Sequence, residues 1–186
     1  MFIRAVDEGL VRMLRAEVPL APEEADISFA PPRAGWDAAL PRTTVNLFLY
    51  EVTPSVRPAQ SLNRRVDPRG DVQRRRTLPM VDLNYLVSVW AADPLEEHRL
   101  LSEVVNRIAG QVMLSPEYLP AETDSSVLTF LGGDEKSRPL DIWRALGGEP
   151  RASFTLSIAV AADSFGWVTE APPVTQVLRN IDRRAE

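Results

Sequence analysis

The chain has 186 residues, 45% of them hydrophobic, a formal charge of −5 and no cysteine. That length suits one domain burying roughly 70% of its unfolded surface, and no apolar run approaches the roughly 20 residues of a membrane span. The missing cysteines exclude disulfides, thiolate metal sites and cysteine nucleophiles together. Acidic residues within MFIRAVDEGLVRML, with no small-residue cleavage site, argue against a signal peptide. The expectation is a soluble, intracellular protein.

Residues 2–17 place Ile3, Val6, Leu10, Met13 and Leu14 at helical spacing, with Arg4, Glu8, Arg12 and Arg15 turned away. Pro19 and Pro22 stop this helix, and Glu23, Glu24 and Asp26 read as a solvated acidic turn. A short apolar–polar piece at 27–30 precedes irregular chain enforced by Pro31, Pro32 and Gly35. TTVNLFLYEV (43–52) is β-branched and aromatic on both faces, as in a strand covered on both sides. In MVDLNYLVSVWAA (80–92), Val81, Leu83, Tyr85, Val87 and Val89 share one face. Asp82, Asn84 and Ser88 share the other with Leu86 and Trp90. At roughly 3.3 Å per residue, each strand is about 33–40 Å long, which suggests an antiparallel ribbon.

Between these strands lies SVRPAQSLNRRVDPRGDVQRRR (55–76), with seven arginines and two aspartates. This stretch is +5 and the rest of the chain sums to −10. It is expected as the tip or connecting loop of the ribbon. Like-charge repulsion and the lack of apolar residues leave it nothing to fold around, so it should be mobile when free.

Asp93-Pro94 with Glu96 reads as a helix start: a cap, a proline at the first position and a capping-box acid. Leu101, Val104, Val105, Ile108 and Val112 then form an apolar stripe as far as Pro116. SVLTFL (126–131) is a short strand ended by Gly132-Gly133, and RPLDIWRALGG is a helix of at most three turns. SFTLSIAV (153–160) alternates, with Phe154, Leu156, Ile158 and Val160 inward and Ser153, Thr155 and Ser157 outward. The last segment, 163–186, is expected as a tail whose apolar patch (Val174, Val177, Leu178, Ile181) docks on something. The fold class is mixed α/β (α+β): a largely antiparallel sheet with long central strands and two or three flanking helices.

Candidate chemistry is sparse. His98 is the only histidine, so a histidine-pair metal site and a serine triad with a spare base are excluded within one subunit; it reads as a partly buried helix residue bonded to a neighbour. Gly132-Gly133 and Gly147-Gly148 lack the Lys-Ser/Thr of a phosphate loop and read as turns and caps. Asp82 and Asn84 form no acid–base pair at defined spacing; they are expected to satisfy backbone groups or to line an interface. No catalytic, cofactor or metal residue is expected.

The arginine stretch is the remaining candidate. Phosphate neutralisation would suit nucleic acid, but the stretch has no aromatic residue to stack bases and the surrounding surface is acidic. The expected use is a protein-binding arm, with Arg57, Arg64, Arg65, Arg69, Arg74, Arg75 and Arg76 as its contacts. The alternative is an adaptor that binds an acidic surface, nucleic acid or membrane, through residues 57–76.

The LFLY strand, the LNYLVSVWAAD strand-to-helix junction with EEHRLL, and DIWRALGGEPR leading into the last strand carry a resemblance. The chain resembles, over roughly residues 1–162, the tail terminator (tube and sheath cap) family of extracellular contractile injection systems. These are phage-tail-like particles of the antifeeding prophage and virulence cassette type. Larger members carry further C-terminal sequence. The resemblance implies an α/β domain at 1–162, with the basic connection at 55–76 and a tail at 163–186. It also implies a homohexameric ring that ends the inner tube and grips the contractile sheath. Its partners would be itself, the tube protein and the sheath protein, with no enzymatic residue, cofactor, nucleic acid or membrane. Such a protein would be cytoplasmic until its particle is released. A closed ring needs a heterologous interface, to which Thr44 and Asn46 are expected to contribute hydrogen bonds between subunits.

Overall fold

The computed structural model describes residues 2–18, 20–32, 35–36, 41–58, 63–121, 123, 126–132 and 138–171. Helix α1 (Phe2–Glu17) leads into strands β1 (Ala25–Ser28), β2 (Thr43–Pro54), β3 (Arg64–Val66), β4 (Val72–Arg74) and β5 (Met80–Trp90). Helix α2 (Pro94–Ala109), a 3-10 turn at Pro116–Tyr118, strand β6 (Leu128–Leu131), helix α3 (Pro139–Leu146), β7 (Ser153–Ala161) and β8 (Val168–Thr169) follow. The apolar patch at 174–181 lies outside the described residues.

The main sheet has the order β1-β2-β5-β7-β6, with β1 parallel to β2 and every other pair antiparallel. β2 and β5 form the expected long ribbon, in register from Thr44↔Trp90 to Pro54↔Val81. A bulge at Tyr50 shifts the register between Leu49 and Glu51 and sharpens the local twist. β1 flanks only Thr43–Asn46. Beyond them no strand flanks β2 among the described residues, and its burial falls off toward Pro54. The expectation of cover on both sides therefore holds for the first half of β2 and fails for the second.

One face of the sheet carries Leu83, Tyr85, Val87 and Val89 against α1 and α2, in a core with Leu10, Leu14, Val104 and Ile108. The opposite face carries Leu86 and Trp90 against Trp143 of α3, and beside them a smaller cluster of Leu78, Met80, Ala159 and Ala161. This second layer buries Thr155 and Ser157, which the alternation of β7 had assigned to an outward face.

The start of α2 is as expected: the Asp93 side chain accepts the Glu96 N–H at 3.3 Å and Pro94 occupies the first turn. Its stripe is shifted. The buried residues are Glu97, Leu100, Val104 and Ile108, whereas Val112 is 75% exposed. The helix ends at Ala109, before Pro116, so the helical spacing that would have turned Val112 inward is lost. α3 ends where Gly147 takes φ +66°, a left-handed conformation that glycine adopts without a Cβ clash; its N–H donates to the Arg144 carbonyl.

Candidate interaction surface

Residues 63–76 of the arginine stretch are folded, which corrects the expectation of a loop with nothing to fold around. Asp67-Pro68-Arg69-Gly70-Asp71 makes a tight turn: the Gly70 N–H donates to the Asp67 carbonyl at 3.0 Å, and Asp67 Oδ1 accepts from the N–H groups of Arg69 and Asp71, both at 2.9 Å. Gly70 has φ +91°. Asp, Pro and Gly at these places are what a type I turn in a short hairpin loop demands. The turn pairs β3 with β4, and β8 adds a third strand through Gln73↔Thr169 and Arg74↔Val168.

The aromatic residues missing from the stretch come from 163–171, the described part of the expected tail. The Arg65 and Arg75 guanidiniums each lie 4.3 Å from the Trp167 ring centroid, and Arg76 lies 5.6 Å from that of Phe165. On the other face Arg64 and Arg74 reach one carboxylate, Glu170, at 3.6 and 3.2 Å. Arg69 is exposed at the turn. These six arginines form one small basic sheet. Arg57 stands apart: it donates to both oxygens of Asp82 at 3.0 Å and lies 3.8 Å from the Phe130 centroid. It ties the start of the stretch to β5 and β6. Asp82, expected to satisfy backbone groups or to line an interface, is instead held by a guanidinium inside the subunit. The Asp-Pro-x-Gly pattern was the available signal for the hairpin; SFGWVTE (164–170) carried the aromatic and acidic partners.

A second constellation joins the motifs that carried the resemblance. Glu97, at the start of α2, is buried and ion-pairs with Arg151 at the entry to β7. The Ala91 N–H donates to the same carboxylate at 3.2 Å. Arg151 also lies 4.2 Å from the Trp90 centroid, and Trp90 meets Trp36 and Trp143 edge-on at 5.0 and 6.1 Å. The indole N–H groups of Trp90 and Trp143 donate to Ser88 and Ser153. The EEHRLL, VSVWAAD and DIWRALGGEPR segments thus meet around one buried ion pair. That arrangement braces a strand-to-helix junction, and it places no nucleophile beside a base.

Other candidates have structural duties. His98 is exposed on α2, with its carbonyl accepting from Ser102 Oγ at 2.7 Å; this corrects the expectation of partial burial. Asn84 donates to Glu51 at 3.2 Å. Thr44 and Asn46 are 1% and 0% exposed, which corrects their assignment to subunit joints. Thr44 donates to the Arg42 carbonyl at 3.0 Å. The Asn46 amide nitrogen donates to the Ser28 and Ala30 carbonyls at 2.9 and 3.2 Å, tying β2 to β1 and the chain after it. Tyr85 donates to Asp7 at 2.8 Å. Burial holds the Asp7 carboxyl above its ordinary pKa, partly opposed by the Tyr85 hydrogen bond and reinforced by Glu8; burial and Asp7 likewise raise Tyr85. Among the described residues no group of three or more His, Cys, Asp or Glu is arranged to hold a metal, and no helix is long and apolar enough to cross a membrane.

No match was found among curated proteins. Among solved structures, the chain is similar to the sheath/tube terminator, in its extended state, of the extracellular contractile injection system PVC. Identity is 23% and the TM-score 0.67, over 98% of this chain and 64% of the other. It is also similar to the tube-terminating cap of the anti-feeding prophage, with 20% identity and a TM-score of 0.62 over 95% of this chain and 60% of the other. The chain thus spans about three fifths of the length of those two proteins, and at these identities the likeness is one of fold. Residues 5–176, a span that includes β8 and the whole basic sheet, match the Pvc16 N-terminal domain, and the chain belongs to that family.

Proposed function

We propose that this chain is a structural cap that terminates the inner tube of a phage-tail-like contractile injection system and anchors the end of its sheath. In this reading it closes as a homohexameric ring on the last tube layer, and it is assembled in the cytoplasm before the particle leaves the cell. The observation that carries the reading is the fold agreement with a sheath/tube terminator along 98% of the chain. The site chemistry is consistent with it: the charged clusters are ion pairs and cation–π stacks that brace junctions and build surfaces. The basic sheet is the docking surface for acidic groups on the particle, through Arg64, Arg65, Arg69, Arg74, Arg75 and Arg76.

A second reading, an adaptor for an acidic polymer or membrane surface, draws on a cavity of about 460 Å³ lined by Arg74, Arg75, Arg76 and Phe165. The cap reading is stronger because Trp167, the ring best suited to stack a base, already carries two guanidiniums. The test is deletion of the gene from a strain that makes the particles, read by negative-stain electron microscopy. Tubes and sheaths of irregular or unstable length are expected, with normal length restored by complementation. Particles of normal length and number from the deletion strain would sink the cap reading.

A further inference from the structure

Among the described residues, two exposed surfaces of this chain complement each other. The first is one face of the basic sheet. Cross-strand register places Arg64, Arg74 and Val168 on that face, together with Val66 and Val72. Val66 and Val168 are 66% and 69% exposed, although a small sheet is stable only when a face is packed. Arg64 and Arg74, each 62% exposed, share the single carboxylate of Glu170. Two guanidiniums on one carboxylate leave a net positive charge and donors for a second one.

The second surface is a groove of about 440 Å³ between β2 and α3, lined by Phe48, Glu51, Asp141, Ile142, Ala145 and Leu146. Its lining is largely apolar with two carboxylates: Glu51, which accepts from Asn84, and the exposed Asp141, which pairs with Arg144 at 3.2 Å and keeps acceptor capacity for a second guanidinium. The groove also runs along the part of β2 that no strand flanks among the described residues, since β1 pairs only as far as Asn46. An unflanked edge beside an apolar groove is the arrangement that accepts a strand from another chain.

We propose that the Val66/Val168 face of the basic sheet of one copy docks in the β2–α3 groove of a second copy, with Arg64 and Arg74 facing Glu51 and Asp141. The occupant is a second copy of this chain because the chemistry of the two surfaces is complementary: the exposed Arg64 and Arg74, beside exposed valines, meet Glu51 and Asp141 in a largely apolar groove. The two surfaces differ, so the contact is heterologous; repeated, it closes a ring or extends without limit according to its rotation angle. The proposal rests on the ring reading above and names the surfaces that would form it.

The test uses the lack of cysteine in the chain. Val168→Cys and Ala145→Cys are introduced singly and together, and the proteins are oxidised mildly, free and on tubes of their own particle. The double variant is expected to give a ladder of disulfide-linked multimers, while each single variant gives none beyond a trace of dimer. Arg64→Glu with Arg74→Glu, or Glu51→Arg with Asp141→Arg, should each reduce the ladder at least tenfold. All four changes in one chain should restore part of it. Retained circular dichroism and melting behaviour separate these losses from misfolding.

A double-cysteine protein that forms no ladder, or only an intrachain disulfide that places its own chain in the groove, overturns the docking. So does a ladder indifferent to both charge reversals. Failure of the docking is distinguishable from failure of the cap reading. Wild-type protein that restores tube length while the double variant gives no ladder removes the docking alone. A ladder from a protein whose deletion leaves particles normal removes the cap reading alone.

Discussion

Asp7 shows how a single side chain sets a local balance between burial and bonding. Its carboxylate accepts from Tyr85, whose side chain is fully buried on the helix-covered face of the sheet, yet burial raises its pKa more than the hydrogen bond lowers it. An acid whose folded pKa is raised contributes stability below its ordinary pKa, and that contribution is lost as pH rises through the raised value. Ionisation of Asp7 therefore costs the folded state stability as pH rises. Asp7→Asn keeps an acceptor for the Tyr85 hydroxyl and cannot ionise. It should raise the melting temperature by a few degrees at neutral pH, with the gain shrinking as the buffer is taken below the ordinary carboxylate range. Thermal melts of both proteins across that range check it, and a gain independent of pH would show that ionisation is not the cause. The helical stripe of α1 was legible at single-residue level, because Val6, Leu10, Met13 and Leu14 are all buried as their spacing requires. The role of Asp7 was not: its partner is 78 residues away, and periodicity says nothing of which strand residue meets a helix.

At the scale of elements, the basic sheet separates what sequence carries from what tertiary contact adds. Its turn was written in Asp67-Pro68-Arg69-Gly70, a local signal that needs no partner. β8 has two residues, too short for any periodicity, and it pairs with a strand some ninety residues earlier. The same limit hid the covering of β7 on both faces, because alternation marks two faces without stating whether a second layer covers the outer one. Trp167 is the element that binds hairpin and distant strand together. Each exposed cation–π contact contributes on the order of 0.5–1 kcal/mol, and Trp167 makes two. Trp167→Ala should loosen β3, β4 and β8 while leaving the main core, to which it does not belong, intact. Limited trypsin digestion reads this directly, since the hairpin is rich in cleavage sites. Faster cutting within residues 64–76 at an unchanged main melting transition is expected. Equal cutting rates would show that the strand ladder holds the sheet without its aromatic platform.

At the scale of the whole molecule, charge is segregated on a folded frame, and that decides how a cap of this kind would dock. Arg74, Arg75 and Arg76 each have a partner within the sheet in Glu170, Trp167 and Phe165. Reversing all three would damage the surface as well as its charge, so salt is the cleaner perturbation. The screening length falls from about 8 Å at physiological ionic strength to about 3 Å at 1 M, and exposed pairs worth roughly 0.2–1 kcal/mol each weaken together. No single pair then determines docking, but a set of them does. Recovery of tube and sheath on immobilised cap protein should therefore fall steeply as salt rises. The Glu97–Arg151 pair, whose carboxylate is buried and whose guanidinium is only partly exposed, is screened less and should keep the fold intact over the same range. His98→Ala should follow the wild-type curve, because His98 is exposed on α2, away from both the basic sheet and the β2–α3 groove. Salt-independent recovery, with the cap still folded, would mean that apolar contact rather than the arginines holds the cap in place.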